Sequence, residues 1–309
     1  MSFKGRDILT TEDLTKEDIL EILKVTAKME EAVHKERVLS LLSDRIVAVL
    51  FLEPSTRTRL SFVTAIHRLG AKPVIVADAK SSSVQKGESL ADMGRTVAGY
   101  VDCIVIRQPQ KGGAKVIADA VDVPVINGGD GAGQHPTQAL QDLYTIQKER
   151  GTLEGLKVAM AGDLKFGRTV HSLSYALAPF GPEFIYCAPD ELRMPESIVS
   201  DMRQSGVPVT ETAAISDALQ ADVIYMTRIQ KERFTEPEQY ERLKGSYVLN
   251  RGLVESGNRN IVIMHPLPRI DEIAGDVDKL ANAVYFRQAH NGVYLRMALL
   301  ALVCGEALV

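Results

Sequence analysis

The sequence predicts an α/β protein made of two doubly wound domains, each built on a parallel β-sheet. Nine short runs of apolar and β-branched residues recur along the chain, and helix-length amphipathic segments separate most of them. Near-continuous apolar strands that alternate with helices are typical of parallel sheets covered on both faces. Nine strands are many for one such sheet, and the 309-residue chain is long enough for two domains of about 150 residues each.

Each predicted strand is a short apolar run, and most end at a polar or glycine-containing segment. Their order along the chain is 46–52, 73–77, 103–106, 123–126, 157–161, 183–187, 223–226, 247–249 and 261–264. A helical pattern at 136–150 and the segment 151–155 interrupt the alternation, and a new strand-turn-helix pattern begins at Lys157, so we place a domain boundary in this region. The C-terminal segment 291–309 has an apolar face at helical spacing and is predicted to return to the first domain.

Composition and charge exclude several classes of function. The 36 basic and 40 acidic residues give a formal net charge of −4, without a basic tail or stripe for nucleic acid. Three cysteines without C-x-x-C spacing predict buried thiols in a reducing compartment rather than disulfides or a zinc site. No signal sequence or membrane-length apolar run is present. We therefore expect a cytosolic protein with no metal, cofactor, nucleic-acid partner or membrane contact.

The segment 55–59 (STRTR) follows the first predicted strand and is a candidate oxyanion site. The N–H groups and positive dipole end of a helix favour a bound phosphate, and hydroxyl and guanidinium groups complete such a site. Arg57 and Arg59 are two residues apart, about 200° around a helix, so we expect one to bind ligand and the other to brace the structure. By itself, the pattern also fits an ordinary helix cap with solvated arginines.

Unusual polar residues stand at the ends of other predicted strands, where open parallel sheets bind ligands. They are Arg107, His135, Arg168, Arg228 and the segment 265–269 (HPLPR). Guanidinium groups hold phosphate or carboxylate oxygens in pairs, so the arginines suit two anionic small molecules. Taken separately, most of these residues are better explained as a solvated charge or as part of a turn.

Two further segments have features of a ligand site. His135 precedes Pro136 at a predicted helix start, where the dipole favours a neutral imidazole that can polarise a carbonyl. The polar segment 80–89 contains Lys86 and resembles loops that close over ligands. The turn 162–168 (GDLKFGR) lacks the G-x-G-x-x-G spacing, so a dinucleotide site has weak support.

Seven motifs in a fixed order resemble the aspartate/ornithine carbamoyltransferase family. They are FLEPSTRTR at 51–59, S-x-x-x-K-G-E at 82–88, Arg107 at a strand end, HPTQ at 135–138, GDLKFGRTVHSL at 162–173, YMTRIQKER at 225–233 and HPLPR at 265–269. They span nearly the whole chain, which makes the resemblance specific. The sequence departs from the family pattern at Gln108, usually His, and at His290, commonly a small residue.

The resemblance implies a carbamoyl phosphate site. The residues that would bind its phosphate are Ser55, Thr56, Arg57 and Thr58, with Arg107 assisting and Arg59 as a structural partner. The catalytic groups, which would contact the carbamoyl carbonyl oxygen, are Thr58, Arg107 and His135. The groups that would orient amino groups are Gln138 and the backbone carbonyls of Pro266 and Leu267.

The resemblance also implies an aspartate site in a second domain. The residues that would hold the two carboxylates are Lys86, Arg168, Arg228 and Gln230. Ser82 and Lys86 would belong to a loop that reaches the active site of the adjacent subunit in a homotrimer. The implied domains are 1–135 plus 290–309 for carbamoyl phosphate and 136–289 for aspartate, with the active site in the cleft between them.

The implied reaction transfers the carbamoyl group of carbamoyl phosphate to the α-amine of L-aspartate, giving N-carbamoyl-L-aspartate and phosphate in pyrimidine biosynthesis.

Two alternative functions stay open. The ornithine branch of the family acts on a cationic amino acid and carries HCLP where this chain has HPLP at 265–268. A non-catalytic anion-binding α/β module would explain the arginines but give no task to His135 or the loop around Lys86. The sequence leaves a separate regulatory chain undecided.

Overall fold

The chain forms two compact units, which the computed structural model describes over residues 3–78, 87–131, 133–230, 234, 236–245 and 247–306. Unit 1 comprises Met1–Tyr144 and His290–Val309, and unit 2 comprises Thr145–Ala289. The first division lies beyond the predicted boundary at 135/136. Tyr144 is buried, and its hydroxyl donates a hydrogen bond to Glu30 at 2.6 Å, which joins it to unit 1.

Unit 1 contains a four-stranded parallel sheet with the strand order β2-β1-β3-β4. Its elements are α1 (Lys16–Lys35), β1 (Ile46–Phe51), α2 (Thr56–Arg68), β2 (Lys72–Val76), α3 (Leu90–Ala98), β3 (Cys103–Gln108), α4 (Gly113–Ala118), β4 (Val125–Asp130) and α5 (Pro136–Arg150), which continues into unit 2. Nearly every residue of β1, β3 and β4 is buried, whereas the edge strand β2 is largely exposed. Apolar side chains on both faces of the inner strands β1 and β3 account for the burial of these two strands.

Unit 2 contains a five-stranded parallel sheet with the strand order β7-β6-β5-β8-β9. Its elements are β5 (Lys157–Ala161), α6 (Arg168–Leu177), β6 (Glu183–Cys187), α7 (Glu196–Gln204), β7 (Val209–Thr212), α8 (Ile215–Ala218), β8 (Val223–Met226), α9 (Pro237–Leu243), α10 (Arg251–Ser256), β9 (Val262–Met264) and α11 (Tyr285–Cys304), which continues into unit 1. Two doubly wound parallel sheets confirm the predicted fold class. Within the described ranges, no helix is both long and apolar enough to cross a bilayer.

Eight of the nine predicted strands occur, and the prediction at 247–249 is wrong. That run makes a single bridge between Leu249 and Ile273, and its apolar side chains enter the core from irregular backbone. The sequence pattern missed β7, because an edge strand of sequence VTET carries too few apolar residues. Helix α11 starts earlier than the predicted 291 and ends before Gly305, whose φ of 82° is a left-handed conformation that commonly terminates helices.

Candidate active site

The carboxyl ends of β1, β3 and β4 lie side by side at one edge of the sheet in unit 1. Phe51 of β1 pairs with Arg107 of β3, and Gln108 pairs with Asp130 of β4. The register between β3 and β4 shifts around Arg107. Such irregularities redirect a side chain and recur beside active sites. Because the strands are parallel neighbours, the segments that follow them leave the sheet at the same edge.

Helix α2 begins with features of an anion site. Ser55 is the N-cap residue, its hydroxyl makes no capping hydrogen bond, and the first turn contains no acidic side chain. Thr56 and Arg57 are exposed, and Thr58 is buried. The N–H groups and dipole of this helix end are therefore available to an oxyanion, with a guanidinium beside them.

Arg59 has a different environment from Arg57. Its Nη1 donates a hydrogen bond to the carbonyl of Ala77, directly after β2, at 3.2 Å. This contact ties the start of α2 to the end of the neighbouring edge strand. Arg59 thus has a structural contact of the kind that the sequence analysis expected for one of the two arginines, and the ligand role of Arg57 stays a prediction.

The side chain of Arg107 is held from two sides. Its Nε lies 3.2 Å from a carboxylate oxygen of Glu53, and its Nη1 donates to the carbonyl of Gly128 at 3.4 Å. Arg107 is 9% exposed, so the guanidinium has lost most of its contact with water. A buried and positioned guanidinium interacts strongly with an oxyanion, because the solvent around it screens little.

The glycine-rich loop before His135 is organised by Asp130. Its carboxylate accepts hydrogen bonds from the backbone N–H groups of Gln134 at 2.5 Å and Gly112 at 2.8 Å. Gly131 has a φ of 54°, and a Cβ there would lie 1.9 Å from the carbonyl oxygen of Pro109, so only glycine fits. The loop delivers His135, which is buried, to the start of α5.

Gln138 lies in the first turn of α5, and its side-chain amide has a defined orientation. Its Nε2 donates to a carboxylate oxygen of Asp142 at 2.8 Å, and both side chains are buried. A carboxylate accepts hydrogen bonds, so it is the amide nitrogen that faces Asp142. The carbonyl oxygen Oε1 of Gln138 is thereby directed to other groups as an acceptor.

In unit 2, the ends of the neighbouring strands β5 and β8 are interlocked. Thr227 Oγ1 accepts a hydrogen bond from the N–H of Asp163 at 2.9 Å and donates to the carbonyl of Ala161 at 3.1 Å. Gly162 has a φ of 114°, and a Cβ there would lie 2.3 Å from the carbonyl oxygen of Thr227. The turn after β5 therefore requires glycine at this position.

Asp163 links the predicted aspartate-binding residues. Its carboxylate accepts hydrogen bonds from the backbone N–H groups of Phe166 at 3.0 Å and Gln230 at 3.3 Å. Burial raises the pKa of Asp163 above its ordinary value, against the effect of these hydrogen bonds and of the charge on Arg228. Arg168, two residues beyond Phe166, is the first residue of α6, and both arginines are partly exposed. A perturbed carboxyl among arginines at strand ends marks a candidate functional site.

The segment 265–269 after β9 has an unusual backbone. Leu267 is a non-glycine residue with a φ of 55°, and the peptide bond from Leu267 to Pro268 is cis. Arg269 anchors the far end through a bidentate ion pair with Asp278, and this contact holds the pKa of Asp278 below its ordinary value. The positive φ of Leu267 is one that a non-glycine residue rarely adopts, so the surrounding contacts must hold this residue in place.

Two family models together match nearly the whole chain. Residues 6–148 match the carbamoyl-P binding domain of aspartate/ornithine carbamoyltransferase, and residues 154–303 match its Asp/Orn binding domain. The chain belongs to the aspartate/ornithine carbamoyltransferase family.

Several aspartate carbamoyltransferases of this family are similar to this chain over nearly its full length. The aspartate carbamoyltransferase catalytic subunit of Thermococcus kodakarensis is 50% identical over 99% of both chains, and that of Methanothermobacter thermautotrophicus is 51% identical over 97% of this chain and 96% of the relative. Among solved structures, the catalytic subunit of M. jannaschii aspartate transcarbamoylase superposes with a TM-score of 0.89 at 50% identity, covering 96% of each chain. Trypanosoma cruzi aspartate transcarbamoylase in complex with carbamoyl phosphate gives 0.92 at 38% identity, covering 97% of this chain and 96% of that one.

The predicted family residues are distributed over the two units. Those in unit 1 are Ser55, Thr56, Arg57, Thr58, Arg107, His135 and Gln138, and those in unit 2 are Arg168, Arg228, Gln230, Pro266 and Leu267. Ser82 and Lys86 lie outside the described residues. In each unit, the described residues follow adjacent parallel strands or stand at their ends. Their roles in the family reaction remain predictions.

Sequence reasoning missed three carboxylates that position these groups. Glu53 contacts Arg107, Asp163 connects the ends of β5 and β8, and Glu272 supports the segment 265–269. Glu53 and Asp163 stand within the family motifs, so an acidic residue beside an arginine-rich motif was an available signal. In the part of the chain that the structure describes, no group of three or more His, Cys, Asp or Glu side chains could hold a metal ion.

Proposed function

We propose that the protein transfers the carbamoyl group of carbamoyl phosphate to the α-amine of L-aspartate, giving N-carbamoyl-L-aspartate and phosphate. The observation that carries this proposal is the placement of Arg168 and Arg228 after the neighbouring strands β5 and β8. Two guanidinium groups suit the two carboxylates of a dicarboxylic amino acid, whereas the side-chain ammonium of ornithine would be repelled. The relatives that are 50% and 51% identical to this chain are aspartate carbamoyltransferase catalytic subunits, which supports the same assignment.

Carbamoyl phosphate is assigned to unit 1. The start of α2 supplies N–H groups and the residues that bind the phosphate, which are Ser55, Thr56, Arg57 and Thr58. Arg107 spans the phosphate and the carbamoyl oxygen, and His135 and Thr58 complete the contacts to that oxygen. Gln138 accepts a hydrogen bond from the carbamoyl amino group, since its amide nitrogen is already bound to Asp142. The family model that covers this unit is described as carbamoyl-P binding, which supports this choice.

Aspartate is assigned to unit 2. Arg168, Arg228 and Gln230 hold its two carboxylates, joined by Lys86 from the segment outside the described residues. Pro266 and Leu267 also lie in unit 2, but their backbone carbonyls are assigned to carbamoyl phosphate, whose amino group donates hydrogen bonds to them. The N–H of Leu267 donates a hydrogen bond to His265, which supports this role. A carbonyl group whose backbone is already held in place loses less conformational entropy when it binds a ligand.

The reaction needs no covalent enzyme intermediate. The uncharged amine attacks the carbamoyl carbon, a tetrahedral oxyanion forms, and the bond to phosphate breaks. Donors aimed at such an oxyanion contribute about 3–4 kcal/mol each, so Thr58, Arg107 and His135 should affect turnover more than substrate binding. The departing phosphate accepts the proton that the amine releases. This last step would be contradicted by a variant that binds both ligands, lacks activity and regains it with added base.

A homotrimer with shared active sites is the proposed assembly. Val74 and Ile75 of the edge strand β2 are 48% and 45% exposed, and Leu60 on α2 is 54% exposed. Successive residues of a strand face opposite sides, so β2 has apolar side chains exposed on both faces. A partner that covers such an edge removes it from water. Ser82 and Lys86 follow this strand in the chain, which supports their delivery to an adjacent subunit.

The proposed location is the cytosol, where the reaction supplies pyrimidine biosynthesis. Three free and buried cysteines support a reducing compartment. These cysteines are Cys103, Cys187 and Cys304. The substrates are small anions, and the acidic net charge of the chain gives no support for a nucleic-acid partner.

The deciding experiment is an assay for ureido product from carbamoyl phosphate with either L-aspartate or L-ornithine. We expect product from aspartate and none from ornithine. Product from ornithine alone would overturn the proposal, and product from neither would favour a non-catalytic anion-binding module.

A pair of arginine variants tests the carboxylate site itself. Arg228→Gln removes a charged hydrogen-bond donor worth about 1.5–3 kcal/mol, so the aspartate KM should rise about tenfold to hundredfold. The matched control is Arg203→Gln, which breaks an exposed ion pair with Glu211 in the same unit and should leave the KM unchanged. Equal KM values for both variants would remove Arg228 from the site.

A further inference from the structure

Arg296 on α11 is a buried cation in unit 1 that the proposed reaction does not use directly. It is 2% exposed. Its Nη1 donates hydrogen bonds to Gln141 Oε1 and to the carbonyl of Gly292, both at 2.9 Å, and its Nη2 lies 3.4 Å from Thr137 Oγ1. Thr137 and Gln141 stand on the first two turns of α5, directly after His135. The guanidinium of Arg296 therefore contacts the start of α5, next to His135 and Gln138, which are predicted to bind carbamoyl phosphate.

The same guanidinium also contacts the other ligand-bearing helix of unit 1. It lies over the ring of Phe62 on α2, 5.1 Å from the ring centre, in a cation–π arrangement. Phe62 is four residues after Thr58, so the two side chains share one face of α2, and both are buried. Arg296 thus connects the start of α5 with the buried face of α2.

Asp142 orients Gln138 on the same two turns of α5 that Arg296 contacts. Asp142 is fully buried, and its carboxylate accepts the hydrogen bond from Gln138 Nε2 at 2.8 Å. An ionised Asp142 can only accept, so it fixes which end of the Gln138 amide faces inward.

The surroundings of Arg296 are shaped to hold a guanidinium. A Cβ at Gly292 would lie 2.3 Å from Arg296 Nη1 and 2.2 Å from Gln141 Oε1, so glycine leaves the space that the hydrogen bonds occupy. Burial lowers the pKa of Arg296 to about 10, which still leaves it charged at neutral pH. A buried charge is an expensive way to stabilise a core, since apolar residues of similar size often do so better.

We propose that Arg296 is a positioning residue, which joins α5 to α2 through its contacts with Thr137, Gln141 and Phe62. These contacts hold His135 and Gln138 at the start of α5, and Thr58 on α2, in the positions that carbamoyl phosphate requires. The inference rests on the proposed function, because it assumes that these three residues meet carbamoyl phosphate. The inference predicts that replacing Arg296 changes kcat and the carbamoyl phosphate KM in variants that remain folded.

Arg296→Met and Arg296→Lys test this inference in the full-length enzyme, with Arg150→Met as the matched control. Arg150 lies in the last turn of α5, where it pairs with Asp222 at 2.7 Å within unit 2. We expect Arg296→Met to lower kcat about tenfold to hundredfold and to raise the carbamoyl phosphate KM, with the aspartate KM within about twofold. Arg296→Lys should restore part of kcat, because it keeps the charge without the planar fork. Arg150→Met should keep wild-type kinetics.

A double-variant comparison separates positioning from a general loss of stability. If Arg296 acts through Gln138, the kcat losses of Arg296→Lys and Gln138→Ala should combine to less than their product, whereas independent structural damage would multiply. Circular dichroism and urea unfolding establish that each variant is folded at the assay temperature. If Arg296→Met does not fold, Gln141→Met removes one acceptor of the same guanidinium and should still lower kcat several-fold.

Two results would overturn the inference. One is wild-type kcat and KM in a folded Arg296→Met enzyme, and the other is multiplicative kcat losses in the double variant. Failure of the proposed function is distinguishable from both, because the wild-type enzyme would then form no product from carbamoyl phosphate and aspartate.

Discussion

Glu272 lies 2.6 Å from Nε2 of His265, and this buried pair supports the backbone that presents Pro266 and Leu267. The N–H of Leu267 donates to His265 Nδ1 at 2.8 Å. A backbone N–H can only donate, so Nδ1 must be the acceptor and Nε2 must carry the hydrogen that Glu272 accepts. The imidazole is therefore neutral in this arrangement, and it fixes a left-handed residue that alone would cost about 1–2 kcal/mol.

Two amide substitutions at His265 separate the two halves of this contact. Asn places an amide near the position of Nδ1 and can still accept from Leu267 N–H, whereas Gln places one near Nε2 and keeps only the contact to Glu272. If the loop positions substrate through Leu267, His265→Asn should retain more activity than His265→Gln. We expect the difference mainly in kcat and the carbamoyl phosphate KM, by about tenfold, measured in steady-state assays. Equal activity in the two variants would show that the Leu267 contact does not matter.

Glu272 should give the enzyme a defined loss of stability in acid. Burial acts to raise its pKa, but hydrogen bonds from His265 and from backbone N–H groups outweigh it, and the pKa in the folded protein lies below its ordinary value of 4.5. The unfolded chain then binds the proton more tightly, so the stabilisation is complete above about pH 4.5 and declines as the pH falls through the folded-state value.

Glu272→Gln should remove this part of the pH dependence. Urea unfolding between about pH 3.5 and 7 should give a lower free energy of unfolding for the variant near neutrality and a smaller difference from wild type as the pH falls. The control is Glu31→Gln, because Glu31 pairs with Lys35 on the exposed surface of α1 and should contribute little at any pH. A constant difference between Glu272→Gln and wild type across the range would contradict the assignment.

The elements that sequence analysis predicted correctly are those whose burial leaves a local pattern. Strands β5, β6 and β8 are apolar runs with both faces covered, and their observed bounds are those predicted. Strand β7 lies at the edge of its sheet and has no apolar run. Tyr247 and Leu249 do belong to an apolar run, because both side chains are buried in the core, but their backbone does not form a strand. An apolar run therefore indicates burial, and a buried segment need not be a strand.

The candidate site shows the same division between local and long-range information. Strand ends and motifs predicted which side chains lie at the carboxyl edge of each sheet, since parallel topology brings those positions together, and their contacts with ligand stay predictions. The groups that hold them were not predictable in this way. Arg296 and Gln141 are 155 residues apart, and only the folded chain shows that they share a hydrogen bond.

Complementation between two inactive variants tests the shared active site. Arg57→Ala and Lys86→Ala should each abolish most activity, because each removes a cation that meets a substrate. If Lys86 reaches the neighbouring subunit of a trimer, random exchange of equal amounts restores both residues at about one quarter of the sites. Activity should therefore recover to about that fraction after mixing under exchange conditions.

The control mixes each variant with itself under the same conditions, and mass spectrometry of the intact trimers establishes that exchange has occurred. Mixed trimers without recovered activity would place Lys86 in the active site of its own chain or outside the active site altogether.

Thr227→Val tests whether the interlocked ends of β5 and β8 position the aspartate site. Valine has nearly the shape of threonine but cannot accept from Asp163 N–H or donate to Ala161, so two buried backbone groups lose a partner. The free energy of unfolding should fall by about 1–3 kcal/mol. Since Asp163 also accepts from Gln230 N–H, the aspartate KM should rise several-fold, while the carbamoyl phosphate KM stays near wild type.

Thr26→Val is the matched control, because Thr26 is buried on α1 and its hydroxyl donates to Ile22 within the helix. A rise in the aspartate KM for both variants would make the effect one of general stability, whereas a rise for Thr227→Val alone assigns it to the strand ends.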